Sequence, residues 1–373
     1  MTPTSEITSS TAVEVPDSVQ GVPAAAETVL RQMFDVHRAT TAQISPVVAT
    51  LVDQLAAFTL NGGKRVRPTF AWSGYRCAGG GTDASVARQA LTVCTSLELI
   101  QACALIHDDI IDRSDTRRGR PTVHRALEAD HTDRTWAGDA GHYGVSTAIL
   151  LGDLALSWAD DVVASRDLPA GIRDRVQPIW AAMRTEVLAG QLLDVIGEAS
   201  GDESVDAAFR VMRYKTAGYT VARPLQLGAA LAGADETLSD ALGDVGDGLG
   251  IAFQLRDDLL GVFGDPAQTG KPSGDDLVAG KRTALLALGL QAADADDPAA
   301  AAELRAMIGR PLTDDELDRA RAILRDVGAE RAVEDHIDRL VAESFEALDA
   351  APVDPSARAE LVTVATAIAG RQR

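Results

Sequence analysis

The sequence predicts an all-α protein, a single large helical bundle, and three observations carry that prediction. From about Ala24 to the C-terminus, apolar residues recur at three- and four-residue spacing, the period of a helix with one buried face. Alternating, strand-like runs are few. The composition leans on Ala, Leu, Val, Asp, Glu and Arg, most of them good helix formers, and 46% of the 373 residues are hydrophobic, enough for a large core.

Residues 1–22, rich in Thr, Ser, Val and Pro without helical periodicity, read as a disordered N-terminal tail, and residues 23–373 as one domain. Breaks between helices are expected at Asn61-Gly62-Gly63, at Gly79-Gly80-Gly81, around Gly138 to Gly144, at Gly197 to Gly201, at Gly264-Asp265-Pro266 and at Asp296-Asp297-Pro298. No fixed-period repeat and no Pro/Ser-rich linker divides the chain.

The 55 acidic residues outnumber the 35 basic ones, giving a net charge of -20, which argues against general nucleic-acid binding. An anionic substrate must then be met by local basic clusters or by metal ions. Cys77, Cys94 and Cys103 lie in apolar surroundings without metal-ligand spacing, so they read as small core residues of a protein in a reducing compartment. No stretch of about 20 uninterrupted apolar residues suggests a transmembrane segment, and the expected location is cytoplasmic. Trp72, Trp136, Trp158 and Trp180 are spaced as core or interface aromatics.

The chemistry begins at Leu105-Ile106-His107-Asp108-Asp109-Ile110-Ile111-Asp112. On a helix, positions 101, 105, 108 and 112 share a face, so Asp108 and Asp112 point the same way with Asp109 beside them. Such carboxylates repel one another unless a cation intervenes, and Mg²⁺ prefers to bridge one or two carboxylates to substrate phosphates. The competing reading of the cluster alone, and the weaker of the two, is a solvated acidic helix end. A second pair, Asp257-Asp258 in Phe253-Gln254-Leu255-Arg256-Asp257-Asp258-Leu259-Leu260, again follows an apolar helix. Basic residues suited to phosphate oxygens cluster at 62–68, at 117–120, at Lys215, at Lys271 and at Lys281-Arg282.

With these motifs in order (GGKRVRP at 62–68, DDIIDRSDTRRGRPTVH at 108–124, KT at 215–216, QLRDD at 254–258, GKPSGDDL at 270–277 and GKRT at 280–283), the chain resembles the trans-isoprenyl diphosphate synthase, or polyprenyl synthetase, family from about residue 25 onward. The resemblance implies a bundle of the isoprenoid synthase type with a central active-site cavity, usually a homodimer. It implies three Mg²⁺ ions per site, replaceable by Mn²⁺, held by Asp108, Asp109 and Asp112 with Asp257 and Asp258. Arg117, Lys215 and Lys271 match ligands of the allylic diphosphate (dimethylallyl, geranyl or farnesyl), and Lys281 a residue that closes the site. Lys64, Arg67 and Arg118, with Gln101, match the isopentenyl diphosphate site. Thr216 and Gln254 match positions whose oxygens face a developing carbocation, while His107 and His124 read as structural.

The implied reaction is head-to-tail (1'-4) condensation with release of pyrophosphate, which serves as the final base. Gly261 departs from the pattern, standing where many members carry a third aspartate; Asp265 either replaces it through water or is a turn residue. Asp275 and Asp276 read as loop-ordering or helix-capping residues. Product length is expected to follow the helix before Asp108, since an isoprene unit, about 5 Å long, roughly matches the helical pitch. Small Cys103 and Ala104 let the tail pass toward Ile100 and Leu97, with Tyr143 near the floor, favouring geranylgeranyl diphosphate over farnesyl or longer products. Two other classes stand beside this reading. A class I terpene cyclase has no use for a second diphosphate site, and a non-catalytic regulatory subunit usually loses one aspartate motif.

Overall fold

A computed structural model of the chain describes residues 13–81, 83–264 and 274–369. They form two compact units, one from the chain up to Pro178 together with Leu227–Ala234, the other from Ile179–Gln226 together with the chain from Asp235 onward. Two of the three divisions fall inside helices and the third in the short turn at Ala234–Asp235, and no Pro/Ser-rich linker marks them.

The first unit is built from α1 (Val22–Ile44), α2 (Pro46–Leu60), α3 (Val66–Cys77), α4 (Ala84–Ile111), α5 (Val123–Asp133) and α6 (Ala140–Val163). Ser45, Asp83 and Asp139 precede α2, α4 and α6, and their side-chain oxygens accept hydrogen bonds from the backbone N–H of Val47, of Ser85 and Val86, and of His142. These donors have no partner within their own helix. α4 forms the core, burying Leu91, Leu97, Leu99 and Ile106 completely, each contributing about 1.5–3 kcal/mol. By length and composition it could cross a membrane, but 72% of its most apolar stretch is buried inside the protein, which marks a core helix.

The second unit holds most of α7 (Ala170–Ser200), then α8 (Val205–Val211), a π-helical stretch (Met212–Ala222) and the start of α9 (Arg223–Ala232). It continues with α10 (Glu236–Phe263), α11 (Asp275–Ala279), α12 (Ala284–Asp296), α13 (Pro298–Met307), α14 (Asp314–Asp326), α15 (Ala329–Ala350) and α16 (Pro355–Ala369). Leu255, Leu259, Leu285, Leu304 and Leu324 anchor its core. Arg256 grips Glu334 with two hydrogen bonds, one of them 2.8 Å, tying α10 to α15.

Several expectations shift. Pro16, Val19 and Val22 are buried around a 3-10 turn at Val19–Gly21, so packing begins before residue 23; residues 1–12 lie outside the described residues. Gly144 is not a break but lies within α6, where a Cβ would come 2.3 Å from the His124 carbonyl oxygen; the glycine permits α5 and α6 to touch. Gly197 likewise lies within α7, and the chain turns only at Gly201, φ +68°. Trp72, Trp158 and Trp180 are buried, whereas Trp136 is 40% exposed. It meets Tyr143 edge-on at 5.5 Å, and Tyr143 lies 5.0 Å from His131, which commits Tyr143 to an aromatic cluster at the α5–α6 contact rather than to a cavity floor. All three cysteines are buried and unbridged.

Candidate active site

In the first unit the aspartate motif ends α4. Asp109 is buried and Asp108 is half-buried. Beyond it the chain forms a hairpin that alternation alone does not predict: β1 (Thr116–Arg117) pairs antiparallel with β2 (Arg120–Pro121). Its two-residue turn, Arg118-Gly119, has φ +54° and +72°, the left-handed pair that a tight hairpin needs. The hairpin returns Arg117 to the motif, with Nη2 2.7 Å from Asp109 Oδ1 and 3.4 Å from Asp108 Oδ2. Burial raises the Asp109 pKa above its ordinary value, and Arg117 offsets only part of that. Burial also opposes the charge on Arg117, but its hydrogen bond to Asp109 and the neighbouring carboxylates outweigh it, leaving its pKa raised.

The GGKRVRP segment lies against the same hairpin. A Cβ on Gly63 (φ +95°) would stand 3.5 Å from both Arg118 Nη1 and Arg65 Nη1, so residues 62–65 approach the hairpin closely. Burial lowers the Arg118 pKa; repulsion from Arg117, and from Arg65 and Arg67, lowers it further against the pull of Glu98. A group of mutually repelling guanidiniums is an anion site in waiting. Lys64 is exposed, Arg67 is half-buried on α3, and Gln101 is half-buried on α4.

One feature of this half escapes the sequence reading. Arg65 and Glu98, 5% and 7% exposed, form an ion pair at 2.6 Å. Arg65 also donates to the carbonyls of Thr59 and Leu60, at 2.9 and 3.3 Å. The signal was a single carboxylate inside the apolar run Leu97-Glu98-Leu99-Ile100.

In the second unit, Lys215 and Thr216 lie on the π-helical stretch, a widened turn frequent at functional sites. A Cβ on Gly190 would fall 2.3 Å from Lys215 N, and one on Gly250 2.7 Å from Ala217 Cα. The stretch is therefore pressed between α7 and α10 wherever those helices lack side chains. Lys215 Nζ donates to Asp194 Oδ2 at 2.5 Å, and Gln191 Nε2, one turn earlier on α7, is buried without a hydrogen-bond partner. Neither α7 residue stood out in the sequence, because a lone Asp and a lone Gln on a helix carry no pattern.

The second aspartate pair divides its work. Asp258 is 4% exposed; its Oδ1 accepts from Gln254 Nε2 at 2.9 Å and its Oδ2 from Ala284 N at 3.2 Å. It thereby orients the Gln254 amide and caps α12, while Asp257 stays half-buried. Burial pushes the Asp258 carboxyl up to about 7, with Asp276 and Asp257 adding repulsion. Lys281 is half-buried after α11; Lys271 and Asp265 lie outside the described residues.

The first unit suits a hard cation. Asp109 Oδ2 is buried without a hydrogen-bond partner, and an ionised carboxylate oxygen in that state is costly until a cation or donor meets it. Among the described residues no three His, Cys, Asp or Glu side chains converge as a closed metal site.

The residues expected to gauge product length sit on α4. With about 100° per residue, Ala104 and Leu97 lie within about 40° of Asp108, whereas Ile100 and Cys103 turn away by about 80° and 140°. The Cys103 thiol is 3.7 Å from His107 Nδ1, whose Nε2 lies 3.1 Å from the Ile149 carbonyl oxygen. A Cβ on Gly152 would strike that imidazole at 2.3 Å. Cys103 therefore belongs to the α4–α6 wall, its pKa pushed up to about 12 by burial and then by Asp153. Ala104 is half-buried, and Leu97 and Ile100 are buried.

Comparison with known proteins agrees with this arrangement. The model of the polyprenyl synthetase family matches residues 49–324. The crystal structure of geranylgeranyl pyrophosphate synthase from Corynebacterium glutamicum, complexed with isoprenyl diphosphate and magnesium, matches at TM-score 0.90 and 47% identity, covering 95% of this chain and 100% of that one. Geranylfarnesyl diphosphate synthase of Aeropyrum pernix is 34% identical over 284 residues, 74% of this chain and 81% of that protein. Geranylgeranyl diphosphate synthase of Mycobacterium tuberculosis is 33% identical over 291 residues, 75% and 74% of the two. With paired aspartate motifs, a cationic cluster on a hairpin and this helical fold, the chain belongs to the polyprenyl synthetase family and is a trans-prenyl diphosphate synthase.

Proposed function

We propose that the chain condenses isopentenyl diphosphate with allylic diphosphates and releases geranylgeranyl diphosphate as its main product. The observation that carries condensation is the cationic cluster around Arg118 beside the carboxylates of α4. One set of charges serves ionisation and the other a second diphosphate, which a cyclase does not need.

In this reading Asp108, Asp109, Asp112 and Asp257, with Asp258 orienting its neighbours, hold Mg²⁺ on the allylic diphosphate, three ions by the family pattern and Mn²⁺ in their place when supplied. Bound magnesium supplies the charge that stabilises the leaving diphosphate. Arg117, Lys215 and Lys271 share that charge, which grows as the allylic carbon–oxygen bond breaks. Lys64, Arg67, Arg118 and Gln101 hold isopentenyl diphosphate so that its double bond attacks the cation, converting a collision into a positioned step. Thr216 and Gln254 present oxygens to the cation, and the departing pyrophosphate takes the proton released as the new double bond forms.

Product length rests on Ala104. A small side chain on the Asp108 face leaves the path open toward Leu97, and relatives named geranylgeranyl and geranylfarnesyl diphosphate synthases support a product beyond C15. Ala104→Phe should shift the main product to C15, read by chromatography of the dephosphorylated alcohols. An unchanged product distribution would refute Ala104 as the gauge.

We also propose a homodimer. Leu188, Leu192 and Ile196, at 54%, 63% and 59% exposure, form a helical stripe on α7 of the kind that marks an interface. Light scattering should give twice the 39.1 kDa of one chain; a monomer at micromolar concentration would exclude it.

A further inference from the structure

The second aspartate motif lacks its third carboxylate at Gly261, and the structure holds another in that space. A Cβ built on Gly261 would come 2.2 Å from Asp276 Oδ2 and 3.1 Å from its Cγ. The carboxylate of Asp276 therefore lies where a side chain at position 261 would begin. Backbone geometry fixes this approach: Gly274 N donates to Gly261 O at 2.8 Å, and Lys281 N to Asp276 O at 2.9 Å. The first bond draws the start of α11 onto the last turns of α10. The second holds α11 in a closed turn that Gly280, φ +78°, completes.

We propose that Asp276 supplies the third carboxylate of the second aspartate motif, toward magnesium bound with a diphosphate, in place of the side chain that residue 261 lacks. The proposal rests on reading Asp257 and Asp258 as part of a magnesium–diphosphate site. It gives Gly261 a physical cause, because a Cβ there would require the Asp276 carboxylate to leave this position. It also brings Asp276 to the face of α10 that carries Asp257, since residue 261 lies four positions, one helical turn, beyond 257. Repelling carboxylates brought together at one end of a helix call for a cation. It makes Asp265 unnecessary as the replacement.

The test uses the full-length protein with inorganic pyrophosphate as the probe, and Mg²⁺ titrated by calorimetry and by thermal unfolding. Asp276→Asn should raise the half-saturating Mg²⁺ concentration about tenfold while leaving the unfolding midpoint in chelator unchanged. Asp276→Glu, which keeps the charge, should lie between Asp276→Asn and the wild type. Asp257→Asn is the reference for the underlying site. If Asp257→Asn weakens Mg²⁺ binding but Asp276→Asn does not, Asp276 has no such role and the reading of the pair stands. If neither weakens it, the reading of the pair fails and this proposal with it. If Asp276→Asn instead lowers the midpoint in chelator and leaves Mg²⁺ affinity unchanged, Asp276 is a structural cap, and the proposal is overturned.

Discussion

Asp108→Ala and Asp257→Ala should each lower turnover by at least several hundredfold while leaving the helical fold intact. The magnitude follows from losing one well-placed electrostatic group where the diphosphate departs, about 3–4 kcal/mol of barrier. These two aspartates are chosen because they are the less buried of each pair. Arg117 keeps its 2.7 Å contact with Asp109 when Asp108 is removed, and Asp258 continues to cap α12 when Asp257 is removed. Consumption of radiolabelled isopentenyl diphosphate gives the rate, and far-ultraviolet circular dichroism checks the fold. A rate near wild type in either variant would contradict the assignment.

The second large effect is on stability. Glu98→Ala should destabilise the protein by about 3–5 kcal/mol, because it leaves the Arg65 guanidinium buried and uncompensated. Arg65 is 5% exposed, so water cannot take the place of Glu98, and its two carbonyl acceptors lack the charge to offset it. Arg65 also stands at φ +51°, at the start of α3 between Lys64 and Arg67. Losing its anchor should loosen that segment and raise KM for isopentenyl diphosphate more than it lowers kcat. Urea unfolding measures the first effect. A loss under about 1 kcal/mol, the scale of an exposed pair, would show that the bridge is not buried in solution.

Helices and aspartate motifs were legible because both write their geometry into spacing. The three-to-four period marks the chain as helical, and the placing of Asp108 and Asp112 on one face follows from the same count; α4 itself is buried on every side from Val93 to Ile100. What escaped depends on contacts between elements distant in sequence. Glu98 and Arg65 meet across 33 positions, Lys215 and Asp194 across 21. The hairpin at 116–121 was hidden because two-residue strands have no alternation to detect, although Arg118-Gly119 is turn chemistry. Glycines misled in both directions. Gly144 and Gly197 looked like breaks yet lie within helices, while Gly261 looked like a missing ligand and is the space that Asp276 occupies.

The most direct test of the account is the product made by the wild-type protein from dimethylallyl, geranyl or farnesyl diphosphate, each incubated with isopentenyl diphosphate and Mg²⁺. All three primers should converge on the C20 diphosphate with one pyrophosphate released per unit added, and a chelator should abolish the reaction. Conversion of an allylic diphosphate to a cyclic hydrocarbon without uptake of isopentenyl diphosphate, or a product that stops at C15, would contradict it.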